Sequence, residues 1–161
     1  MATVTAGPAV DPSFEEVRRL HAAVLHRLCM VALGNPVAAE AATAHVLGVA
    51  AAAYPVDRPA QGEALRWLCG VACDVIREGP EPPRGRRAPG AIVTGWGVEV
   101  DAALVRVSRL GMRERLAAGL RCAAGLDYAE IGEILGIRAE DARGASSRAL
   151  RRVRPRRGRG R

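Results

Sequence analysis

Eight arginines and no acid fall within residues 148–161, RALRRVRPRRGRGR. A guanidinium is always charged and offers a planar fork of donors that fits a phosphate or a guanine edge. The chemistry open to such a run is therefore anion recognition. The whole chain carries 24 basic residues, all arginine, against 17 acids, a net charge of +7. Outside the C-terminal run the balance is close to neutral, so the positive charge is localised, as expected of an end that faces nucleic acid. A solvated basic tail without a specific partner is the bland alternative, because phosphate attraction needs no fold.

Immediately before the run lies GLDYAEIGEILGIRAEDA, residues 125–142. Tyr128, Ile131, Ile134 and Leu135 recur on one face of a helix over 127–135, and Asp127 is placed to cap it. Gly136 supplies a tight turn and Ile137 plugs it, the arrangement of a helix-turn-helix. The next helix begins near Glu140 and is stopped by Pro155. Its inner face reads as Ala142, Ala149, Leu150 and Val153. The candidate DNA contacts are Arg138 at its start and Arg143, Ser147, Arg148, Arg151 and Arg152 on its outer side. A helical hairpin packed inside a bundle is the alternative, and the adjacent arginine run argues against burial.

Other chemistries find little footing. Paired carboxylates, a nucleophile with its base, and a Gly-rich phosphate loop are not found at mechanistic spacing, so no enzyme and no cofactor is expected. Cys69 and Cys73 stand one helical turn apart and could supply two metal ligands. A zinc site needs four, or three and a water, and no matching Cys/His pair is near. The four cysteines (Cys29, Cys69, Cys73, Cys122) instead sit in segments patterned like buried helices. With no secretory signal and no uninterrupted apolar run near the roughly 20 residues of a membrane span, a reduced, cytoplasmic location and no membrane are expected.

The elements that position these residues read as helices throughout. Hydrophobic residues make up 49% of the chain but only five are aromatic, so the core must be aliphatic. SFEE at residue 13 is a capping box, and Phe14, Val17, His21, Val24, Leu25, Leu28 and Val31 follow at helical spacing as far as Gly34. Asn35 and Pro36 start a second, Ala-rich helix that runs to about Ala53. A third covers about 61–77, with Leu65, Leu68, Val71, Ala72 and Val75 on one side. GPEPPRGRRAPG, from residue 79, holds four prolines and three glycines, which neither a helix nor a central strand accepts. Helical patterning resumes near Val100 and again from Met112. The expected fold is all-α: a helical domain over 13–78, a flexible Pro/Gly/Arg linker over 79–99, a helix-turn-helix domain over 100–154 and a basic tail over 155–161. The two helical units are expected to make few contacts with each other.

Segment 125–154 resembles the region-four helix-turn-helix of extracytoplasmic-function (ECF) sigma factors, in Gly125, Leu126, Tyr128, Glu130, Ile131, Glu133, Leu135, Gly136 and Ile137. FEEVRRLHAAVLHRLCMVALGNPVAAEAA is similar to the opening of that family's region two, and WLCGVACDVIRE, residues 67–78, to a later part of it. The domain order also agrees. The chain departs from the pattern where the family shows a Q-E pair (Ala44 and His45 here), where it shows Arg-Asn (Cys73-Asp74), and at Ala145, a position commonly basic.

The resemblance implies a region-two-like bundle and a region-four-like DNA-binding domain. It implies a sigma factor that directs core RNA polymerase to specific promoters. The partners would be core polymerase and promoter duplex DNA, with an anti-sigma factor as a further candidate. The second helix would carry the polymerase contact through Glu40, Thr43, Val46 and Leu47, mainly on apolar surface around Val46, Leu47 and Val49. A sigma-like regulator that binds DNA but no longer initiates transcription remains the alternative.

Overall fold

A computed structural model describes residues 13–60, 62–79 and 98–154, and every regular element among them is an α-helix. The helices are α1 (Phe14–Leu33), α2 (Pro36–Ala53), α3 (Ala64–Glu78), α4 (Val98–Ser108), α5 (Met112–Ala123), α6 (Tyr128–Leu135) and α7 (Ala139–Val153). The expected linker, apart from its two ends, and the expected basic tail lie outside the described residues.

Local chemistry sets most of the boundaries. Ser13 N donates to Glu16 Oε2 at 2.8 Å while Ser13 Oγ accepts from Glu16 N at 3.4 Å, which closes the capping box of α1. Gly34 ends that helix at φ 65°, a left-handed conformation that glycine adopts without strain. Asn35 Oδ1 then accepts from Ala38 N at 3.1 Å and Pro36 opens α2. Helix α3 has no side-chain cap, and it begins three residues later than its hydrophobic pattern suggested.

Helices α1, α2 and α3 pack together around Leu25, Leu28, Cys29, Val46, Leu68, Cys69 and Cys73, all fully buried. Trp67 joins them from the side, edge-on to Tyr54 at 5.9 Å, and Tyr54 meets Phe14 at 5.4 Å. Each buried Leu contributes about 1.5–3 kcal/mol relative to an exposed one.

The same core continues into the second half of the chain. Leu104 of α4, Leu116 and Leu120 of α5, and Ile131 and Leu135 of α6 belong to one cluster with the residues of α1–α3. Helix α5 lies along α1, and a Cβ at Gly119 would come within 2.7 Å of Leu28 Cδ1. Polar bonds reinforce the contact. Arg77 Nη2 donates to Leu135 O at 3.0 Å, and Arg66 Nη2 pairs with Glu133 Oε2 at 2.9 Å. The expectation of few contacts between the two halves is therefore corrected. The aliphatic faces of α1 and α5 pack against each other and are buried together.

Candidate nucleic-acid interface

The corner between α6 and α7 is built from backbone chemistry. Asp127 Oδ1 accepts from Ala129 N at 2.8 Å and Glu130 N at 2.9 Å, and Asp127 N donates to Glu130 Oε2 at 2.7 Å. That reciprocal capping box fixes where α6 starts. Arg121 holds the approach: its Nη1 donates to Leu126 O at 2.9 Å and its guanidinium lies 5.1 Å from the Tyr128 ring centroid. At the other end Gly136 turns the chain at φ 64°. The turn then folds back over Gly132. Ile137 N donates to Gly132 O at 2.9 Å, and a Cβ on Gly132 would sit 2.7 Å from Ile137 O and 3.2 Å from Ala139 N. Two glycines one turn apart thus make the corner, one for its backbone angle and one for the space it leaves.

Helix α7 seats on the rest through small residues. Ala142, Ala145, Ser146 and Ala149 are buried, and Val153 is half-buried. Leu150, expected on the inner face, is 37% exposed, and Ala145, at the position the sigma pattern makes basic, is in the core instead. A basic side chain there would be buried against α5 and α6. Ser146 Oγ is buried without a hydrogen-bond partner among the described residues, a cost on the order of 1–3 kcal/mol.

The expected DNA-contacting residues fall into two sets. Arg143 and Arg151 are exposed and carry no ion pair among the described residues, with Ser147 half-buried between them one turn from each. Arg148 and Arg152 are tied down: Glu114 of α5 takes Arg148 Nε on Oε1 at 3.1 Å and Arg152 Nη1 on Oε2 at 3.2 Å. Arg138, at the N-cap position of α7, pairs with Asp141 at 3.0 Å, and that hydrogen bond raises its already high pKa further. Sequence reasoning missed Glu114, because its partners lie 34 and 38 residues away.

Of the residues expected to meet polymerase, Glu40 is exposed and Leu47 half-buried against the core. Thr43 and Val46 are inside. Val46 is fully buried, and Thr43, 9% exposed, donates its hydroxyl to Ala39 O at 2.6 Å. As surface contacts these two are corrected. Helix α2 is apolar over most of its surface, and Glu40, Thr43 and His45 are too few to have said which stripe faces inward. Its outer face is Val37, 77% exposed, with Ala38, Ala41, Ala44, His45, Gly48 and Val49. By length and composition α2 is apolar enough to cross a bilayer, 18 residues at hydropathy 1.3. Core helices pass that measure too, so it carries no argument for a membrane.

The three inner thiols, Cys29 on α1 and Cys69 and Cys73 on α3, are all buried. Burial pushes Cys69 and Cys73 up to about 12 from 9.0, and raises Cys29 as well, against a hydrogen bond with Thr43 that lowers it. No group of three or more His, Cys, Asp or Glu that could hold a metal occurs among the described residues. Compared with models of known protein families and with curated proteins, the chain matches none.

Proposed function

We propose that this protein is a promoter-recognising DNA-binding protein of the ECF sigma type, acting with core RNA polymerase and reading duplex DNA through α7. The observation that carries the reading is the α6–α7 corner. A capped helix, a left-handed glycine and a sterically required Gly132 hold out a second helix with Arg143, Ser147 and Arg151 along its outer side. Arginines so placed can fork onto guanine O6 and N7 or clamp phosphates. In this reading the first half supplies the polymerase contact through the outer face of α2, and the protein works in the cytoplasm without a cofactor, as a specificity subunit and not an enzyme.

The test is direct. Fluorescence anisotropy with duplex DNA should show affinity falling steeply with salt, and run-off transcription with core polymerase should start at discrete promoters. Failure to bind any duplex at low salt would sink the DNA reading.

A second reading is favoured by the burial of Thr43 and Val46. It leaves Glu40 and His45 as the polar side chains on the outer face of α2, a thin set for a specific partner contact. A sigma-like regulator that binds promoters but does not initiate would need no more. DNA binding without co-purification with core polymerase would select it.

A further inference from the structure

We propose that the basin between the C-terminal ends of α4 and α7 binds a phosphate-bearing ligand. Its lining is Arg106, Arg109, Arg152 and Arg154 around Leu110, and its volume is about 420 Å³. That lies toward the small end of the roughly 300–1,000 Å³ of ligand pockets, and suits a di- or triphosphate, or a pair of neighbouring backbone phosphates, better than a bulky organic molecule.

Two of the four guanidiniums are held in place. Arg106 Nε donates to Val153 O at 2.7 Å, which leaves its two terminal nitrogens unengaged among the described residues. Arg152 is fixed through Nη1 by Glu114 at 3.2 Å. The other two, Arg109 and Arg154, are exposed and carry no ion pair among the described residues. Leu110, 3% exposed, packs with Ala118 and Ala149 beneath them and gives the basin an apolar floor. No carboxylate lines it among the described residues, although Glu114 stands behind Arg152.

Cations near helix C-termini offset the helix dipole, and that accounts for one arginine at each helix end. It does not account for four around one concavity, where Glu114 offsets only Arg152 and the charges of Arg106, Arg109 and Arg154 are left to repel one another. A bound oxyanion removes the repulsion and uses the guanidinium fork, which meets phosphate oxygens two at a time. The basin is lined mainly by residues outside the outer stripe of α7, so the inference does not depend on the DNA reading.

The experiment is calorimetric titration of the full chain with inorganic triphosphate at low salt. It compares wild type, Arg109→Gln/Arg154→Gln, and the equally charged control Arg19→Gln/Arg27→Gln, whose arginines are exposed on α1. All three keep residues 155–161, so any binding by that segment is common to them, and circular dichroism checks that each remains helical. Wild type and control should bind one triphosphate with similar affinity, and the basin variant at least about tenfold more weakly, since hydrogen bonds to charged groups are lost at two positions. Displacement of triphosphate by a short duplex identifies the natural phosphate as DNA backbone. Retention of triphosphate beside bound duplex identifies a free polyphosphate ligand. Equal binding by the basin variant and the control, or no saturable binding by wild type, overturns the proposal.

Discussion

Glu114 is the residue whose single replacement says most about α7. Its carboxylate, 16% exposed, holds Arg148 and Arg152 together. While it does so, neither guanidinium can give its full charge to a phosphate. Glu114→Gln should therefore strengthen binding to all duplexes and steepen the plot of log K against log salt by about 0.9 for each phosphate newly contacted. It should also narrow the gap between promoter and random DNA. A slope unchanged from wild type would show that the two arginines never reach DNA. Arg143 asks a different question, because it carries no ion pair among the described residues. Arg143→Ala should cost about 1–3 kcal/mol at one base position if it reads a guanine, measured by binding to a set of single-base variants. A uniform loss would make it a phosphate clamp. The cysteines give a pH signature. Cys69 and Cys73 are pushed from 9.0 to about 12 by burial, so the folded state keeps protons that the unfolded state releases. The stability tied to those protons is complete below pH 9 and is lost as pH climbs toward 12. Urea melts between pH 8 and 11 should show the decline, and Cys29→Ser/Cys69→Ser/Cys73→Ser should flatten it. At pH 8 a maleimide should label exposed Cys122 quickly and the buried three only on unfolding.

At the level of elements, the placing of α6 can be tested at its cap, Asp127, and at its corner with α7, Gly132. Asp127→Ala removes the acceptor for two backbone amides and should cost about 1 kcal/mol. Gly132→Ala places a methyl against backbone, not against a flexible side chain, and should cost on the order of 1–3 kcal/mol despite the better helix propensity of alanine. Thermal melts would rank the two, and equal, negligible losses would mean that the corner is loosely held. These elements were also the most legible in the sequence. Ser13, Asn35, Asp127, Gly34 and Gly136 act on neighbours within four residues, so their caps and stops can be read from local order alone. The facing of α2 could not. Its Ala-rich surface carries only Glu40 and His45 to mark the outside, and Thr43 and Val46 turned inward where a contact surface was expected. The seating of α7 was legible in part: Ala142, Ala149 and Val153 face in as expected, whereas Leu150 yields its place to Ala145, small enough for close approach to α5. Bonds across long separations, Arg77 to Leu135, Arg66 to Glu133 and Glu114 to Arg148, leave no mark in a periodic pattern.

For the whole molecule the deciding feature is the main core, shared by both halves, that runs from Val17 through Leu28 and Leu120 to Ile131. The free protein should unfold in one cooperative step, with helicity and tryptophan fluorescence changing together; two separated transitions would restore the picture of independent units. If, on the proposed reading, α2 meets polymerase while α7 meets DNA at a distance from it, that core would have to open, and hydrogen exchange at the α1–α5 seam should accelerate when core polymerase is added. A seam as protected in the complex as in the free protein would show that both faces work closed. The same seam gives the segment between residues 79 and 98 a second meaning. Cutting it once would not yield two domains. It would turn one folding reaction into an association between two pieces, with a stability that depends on concentration where the intact chain has none. The covalent link would then be measurable as an effective molarity, the concentration of loose halves needed to match the unbroken protein.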